Sequence, residues 1–231
     1  MKHLLKMSPI LVLMGFSTLG AATITTDFGG TACLPQGICS AQPGAITVDF
    51  NDGLLATGPY TAGIATYVWG SQLSSPIVQG SHDGAYAAPG QGLDQSPYLS
   101  VGSPGGPSTV TINLSSPINY FGFYFGSPDA YNSIRFYSGG ALVRTFFGDS
   151  SDLKPQSAAL GNWDTANYVN FRVSGGTVDK IVLESTSAAF ETDNHAFATA
   201  TPEPSTVLTL GIGGILIVAG RMRIQRRTRS N

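Results

Sequence analysis

Charge is scarce in this chain: Asp, Glu, Lys and Arg make up 11% of its 231 residues, with only 3 His and 2 Cys beside them. So little basic surface excludes a nucleic-acid binder, which needs clustered Lys and Arg against phosphate. The helix-forming residues are thin while Gly and Pro reach 29 and 14, which argues against a helical protein and for a chain that turns often. What the chain does have is 12 Phe, 9 Tyr and 2 Trp, and that apolar payload excludes disorder.

The charge is also sorted. Between Thr23 and Glu203 five basic residues (Arg135, Arg144, Lys154, Arg172, Lys180) face all 14 acids, a net of −9. The other bases lie at the two ends. At the start, Lys2 and Lys6 precede an apolar run from Met7 to Leu19 and the small residues Gly20, Ala21 and Ala22. This is the order of a secretory signal peptide over residues 1–22, removed by signal peptidase so that the mature chain starts at Thr23. A domain of about 180 residues then remains, enough for one sizeable core.

At the other end, residues 201–231 combine Pro202-Glu203-Pro204, an apolar stretch from Val207 to Gly220, and Arg221, Arg223, Arg226, Arg227 and Arg229. Counted from Ser205, the apolar segment is at the short limit of a membrane-spanning helix, and the arginines fix its end in the cytoplasm. The body would then face the exterior, with an extended Pro-bounded peptide at the outer membrane face. These three parts in this order resemble the PEP-CTERM sorting signal of Gram-negative bacteria, the mark of an exosortase substrate. The resemblance implies export by the secretion machinery, transient anchoring in the inner membrane, cleavage by exosortase near Pro202 to Pro204, and a final place at the cell surface or in an extracellular matrix. Similar tails also carry an ice-binding C-terminal label, but no regular Thr-x-Thr array accompanies this one. A plain permanent anchor is the alternative.

The body, residues 23–200, reads as short strands with period-2 alternation. The runs are Ala45 to Phe50, Thr66 to Trp69, Pro76 to Gln79, Tyr98 to Val101, Thr109 to Leu114, Ile118 to Phe125, Ser133 to Tyr137, Ala141 to Phe147, Tyr168 to Val173, Val178 to Ser185 and Ala189 to Phe197. Hairpin turns are expected at Ser115-Ser116-Pro117, Ser138-Gly139-Gly140 and Ser174-Gly175-Gly176. The fold class is therefore all-β, an antiparallel β-sandwich of jelly-roll type. INYFGFYFG is aromatic at both parities, as in a central strand covered by the opposite sheet on one face and a loop on the other. ITVDFNDG, INYFGFYFGSPDAYNSIRFYSGG, YVNF and AFETDNHAFA resemble a group of exosortase-dependent surface proteins. The pattern is also similar to galactose-binding-like and carbohydrate-binding jelly rolls.

Candidate sites are few. In an exported chain Cys33 and Cys39 can close a disulfide around a small loop, rigidifying a surface turn. A zinc site lacks partners, since His82 and His195 stand at unrelated spacings. A structural calcium suits the carboxylates of Asp49, Asp52, Glu191 and Asp193, brought together where the first and last strands of a jelly roll pair; alternation puts Glu191, Asp193 and His195 on one side of the final strand. The alternative is that these are solvated turn and strand-edge residues. For catalysis, Asp83, Asp94, Asp129, Asp164 and Glu191 offer carboxylates, but no G-x-S-x-G, H-E-x-x-H or P-loop is present, and His82-Asp83-Gly84 reads as a turn. A glycan-binding surface would use Trp69, Tyr131 and Trp163, with Tyr86 and Tyr98 in neighbouring loops, although Trp69 equally reads as core. The expectation is a non-enzymatic surface or matrix protein with a structural or adhesive role, associated with exopolysaccharide or biofilm. A calcium-dependent carbohydrate-binding module is the alternative and a glycan hydrolase the remote one.

Overall fold

The computed structural model describes residues 21–70, 73–90, 93–126, 128–153 and 167–199. The expected signal peptide up to Gly20, Trp163, Asp164 and the expected sorting tail lie outside the described residues.

Among the described residues the chain forms strands and no helix: β1 (Thr23–Phe28), β2 (Thr31–Ala32), β3 (Ile38–Cys39), β4 (Ile46–Val48), β5 (Tyr60–Ala62), β6 (Ala65–Val68), β7 (Ile77–Gln79), β8 (Pro97–Val101), β9 (Thr109–Phe125), β10 (Asn132–Ser138), β11 (Ala141–Phe147), β12 (Asn167–Ser174), β13 (Val178–Ser185) and β14 (Phe190–Thr199). All but β2 and β3 belong to one large antiparallel sheet.

Its axis is β9, and here the structure corrects the expected hairpin at Ser115-Ser116-Pro117. Residues 109–125 are one strand. Asn113 stands opposite Lys180 while Ile118 stands opposite Val178, so β9 bulges outward between them. Ser115, Ser116 and Pro117 are exposed in that bulge, where a proline breaks no ladder bond. Both neighbours change there. The first half of β9 lies between β13 and β6, and the second half between β12 and β14.

The expected hairpin at Ser174-Gly175-Gly176 is also corrected. Arg172 opposes Tyr120 and Val178 opposes Ile118, so β12 and β13 follow one another along the same edge of β9 rather than pairing with each other. The Gly-Gly step bends the chain between the two runs. By contrast Gly139 and Gly140 form the two-residue hairpin joining β10 and β11, with Ser138 opposite Ala141 and φ of +55° and +83° as a type I′ turn requires.

The 12 largest fully buried side chains are all Phe or Tyr. Alternation along β9 sends Phe121, Phe123 and Phe125 into the main core and Tyr120 and Tyr124 into a second cluster on the other face. On the Phe side, Phe136 of β10 and Phe146 of β11 reach Phe171 of β12 with ring centroids 4.9 and 5.2 Å apart. Strands that share no ladder thus share a core, each buried ring contributing about 1.5–3 kcal/mol.

The Tyr side is covered by the segment around Cys33 and Cys39, which are disulfide-bonded with Cα atoms 5.8 Å apart. Leu34 is 71% exposed as a surface turn would be, but Gly37 is buried with φ +74°, and a Cβ there would come within 2.3 Å of the Tyr124 ring. The loop is therefore a cover for β9 as well as a turn.

Candidate functional site

Beyond the end of β7 the chain makes a tight turn in which the His82 and Tyr86 backbones exchange hydrogen bonds of 2.9 and 3.1 Å, with Gly84 at φ +73°. Together with the segment ahead of β10 and the turn between β13 and β14, it encloses a cavity of about 590 Å³. His82, Asp83, Tyr86, Asp129, Tyr131 and Glu191 line it. Glu191, 5% exposed on β14, accepts the Ala87 N–H at 3.0 Å and so ties the turn to the sheet. Tyr131 donates its hydroxyl to the Ala188 carbonyl at 3.1 Å, and Asn132 donates its amide to the Ala189 carbonyl at 3.2 Å. Tyr86 lies against Tyr98 with centroids 6.4 Å apart. Burial, and then the Asp129 carboxylate, push the Tyr131 hydroxyl above its usual range, so it stays protonated at neutral pH.

The cavity thus combines tyrosine rings with carboxylate oxygens, a surface suited to hydroxyl-bearing, uncharged ligands: rings take the apolar face and carboxylates accept from hydroxyls. It unites Tyr131 and Glu191 from the sequence-derived candidates with Tyr86, Asp83 and Asp129. Sequence reasoning missed Ser81 and read His82 only as part of a turn; that turn did put polar side chains at a loop tip, the one signal available. Trp69 is 7% exposed within the main core and presents no open ring to a glycan. Trp163 falls outside the described residues.

The four candidate calcium ligands are dispersed. Asp49 accepts from Gln36 at 3.1 Å and from the Asn51 side chain at 2.8 Å, and Asp52 accepts from the Tyr60 hydroxyl at 2.5 Å. Glu191 belongs to the cavity. β4, the first strand legible in the sequence, does pair with β14, Val48 opposite His195, but the first strand of the structure, β1, pairs with β12 instead. Yet Asp193 is drawn elsewhere, to Ser96 and Asp94. Among the described residues no group of three or more His, Cys, Asp or Glu side chains is placed to hold a metal ion.

The expected alignment of Glu191, Asp193 and His195 on one side of β14 is overturned by a bulge. Asp193 opposes Tyr124 and Ala196 opposes Gly122, three steps against two, and Asn194 takes up the extra residue at φ +50°. Asn tolerates that left-handed conformation better than most residues. His195 is thereby turned into the Phe core with its ring nitrogens 3.0 Å from the Tyr67 hydroxyl and 2.9 Å from that of Thr192.

No family model matches the chain, nor does any curated protein or solved structure.

Proposed function

We propose that this chain is an exported, exosortase-processed cell-surface or extracellular-matrix protein with a structural or adhesive role, and that its body is a jelly-roll β-sandwich. The ordered triplet of Pro202-Glu203-Pro204, apolar segment and arginine cluster carries the export and sorting reading. Supporting the sandwich are the change of both β9 neighbours at one bulge and the ring contacts between β10–β11 and β12. The partners are signal peptidase and the secretion machinery, the inner membrane before processing, and exosortase. The role proposed for the body is binding or scaffolding, not catalysis.

The test is replacement of Pro202, Glu203 and Pro204 by alanine in a host that carries exosortase. The expected outcome is a longer chain retained in the inner-membrane fraction. Processing and surface arrival at the wild-type level would remove the sorting reading.

A second reading, carbohydrate binding, is favoured by the tyrosine-and-carboxylate cavity. Saturable cosedimentation of the purified chain with exopolysaccharide is expected, weakened about tenfold by Tyr86→Ala through loss of a stacking ring. No binding by folded wild-type protein would leave the structural role alone, and unchanged binding by the variant would place the glycan contact outside this cavity.

A further inference from the structure

Asp94 and Asp193 are 1% and 0% exposed and share a single donor side chain. The Ser96 N–H and hydroxyl both reach Asp94 Oδ1, at 2.9 and 2.5 Å, and the same hydroxyl lies 3.3 Å from Asp193 Oδ2. One hydroxyl proton cannot fully serve two carboxylates. The two carboxyl groups also lie within hydrogen-bond reach of each other, which requires a proton on one of them; with both ionised, Asp94 Oδ2 and Asp193 Oδ1 are buried without a donor, and the Tyr124 hydroxyl and Asn194 Oδ1 are buried without a partner. These account for four of the seven such atoms among the described residues. Native interiors rarely leave several acceptors unpaired in one place unless water or an ion joins them.

Among the described residues no lysine or arginine answers this charge. Arg135, Arg144 and Arg172 pair with Glu184, Asp152 and Asp27, and Lys180 lies over the Tyr137 ring. His195 is turned into the Phe core, where its ring nitrogens meet the Tyr67 and Thr192 hydroxyls. The groups packed around the pair are neutral tyrosines. Tyr124 stands opposite Asp193 on β9, and its hydroxyl is buried without a partner. A dry carboxylate pair with no counter-charge is strongly unfavourable. One shared proton would still leave a buried negative charge, whereas a divalent ion neutralises both.

We propose that Asp94 and Asp193 are the carboxylate ligands of a buried calcium ion, seated between the loop ahead of β8 and the middle of β14 beneath the disulfide loop. The donors are all hard oxygens, which selects calcium over zinc. Calcium sheds water more readily than magnesium and tolerates irregular coordination, as a closed site requires. Two carboxylates are fewer than a three-acid cluster provides, so neutral oxygens complete the shell, with the Tyr124 hydroxyl and Asn194 Oδ1 as the unpartnered ones at hand. The disulfide loop closes the site: Gln36 bridges Asp94 backbone to backbone, Gln95 N–H bonds the Pro35 carbonyl at 2.8 Å, and Asn194 donates to the Gln36 carbonyl at 2.5 Å. The assignment uses the exported location only as the source of calcium, and its test reads neither sorting nor glycan binding.

The purified full chain in detergent, stripped with chelator, would be melted with and without calcium or magnesium and titrated with terbium, whose emission tyrosine sensitises. Calcium at about a hundred times its Kd is expected to raise the melting temperature by about 5 °C or more, with magnesium well behind, and to compete away terbium emission. Asp94→Asn and Asp193→Asn should each weaken calcium binding at least about tenfold, with unchanged far-UV circular dichroism confirming the fold; if one fails to fold, the other carries the test. A wild-type melt indifferent to calcium would overturn the proposal in favour of a shared proton. A calcium response undiminished in a folded variant would overturn it by placing the ion elsewhere.

Discussion

His195 shows most directly how one residue's surroundings set a measurable property. Its ring is fully buried against Phe50, Phe121 and Phe123, and burial lowers its pKa to about 3. In the unfolded chain the value returns to about 6.5. The unfolded state therefore binds the proton first, and stability is full above pH 6.5 and lost as pH falls from there toward 3. The expected loss between pH 7 and pH 5 is about 2 kcal/mol from this residue. Buried Asp193, whose pKa is raised by burial and by Asp94, acts with opposite sign: unless a bound cation compensates it, its penalty grows as pH rises above the unfolded carboxylate value. Urea titrations of wild type and His195→Gln at both pH values separate the two, since the histidine contribution is their difference. Equal pH dependence in the two proteins would refute the assignment. The sequence placed His195 with Asp193 because strict alternation was assumed; the bulge at Asn194 is one residue long and depends on what β9 offers opposite, so it was not legible.

At the level of elements, β9 and the disulfide loop are interdependent. Alternating Phe and Tyr along residues 120–125 require two covers, and the sequence already showed both parities to be aromatic. That the cover on the Tyr side is the Cys33–Cys39 loop was not legible, because nothing local links Gly37 to Tyr124. Opening the bridge with Cys33→Ser and Cys39→Ser is expected to cost about 2 kcal/mol, the closure term for so short a loop. Beyond that entropy, the variant loosens the cover, so tyrosine fluorescence of the native state should also change. A double variant of wild-type stability and spectrum would show that the loop is held by its packing alone. Turn residues were read correctly where two glycines close adjacent strands, at Gly139 and Gly140, and wrongly where Gly or Pro sits in a bend along one edge. The hairpin Ser138-Gly139-Gly140 and the bend Ser174-Gly175-Gly176 carry the same residue types, and only the pairing of the flanking strands distinguishes them.

At the scale of the whole molecule, charge is sorted along the chain. Residues 23–203 carry the net −9 and the residues after them the five arginines, so the alanine replacements at Pro202, Glu203 and Pro204 should change where the protein ends up while leaving the body's melting temperature as it was. What the sequence by itself determined is whatever depends on order and composition along the chain: strands rather than helices, the disulfide between the two cysteines, and the expectations of export and tail sorting. Period, turn chemistry and charge order are local and survive without a fold. Which residues meet was decided only in three dimensions. Tyr131, Glu191 and His82 join one cavity, Trp69 is withdrawn into the core, and Asp94 joins Asp193 from almost a hundred positions away. Those outcomes follow from strand register and from a single bulged residue, and register is fixed by the sum of all cross-strand contacts, which no segment of the sequence carries alone.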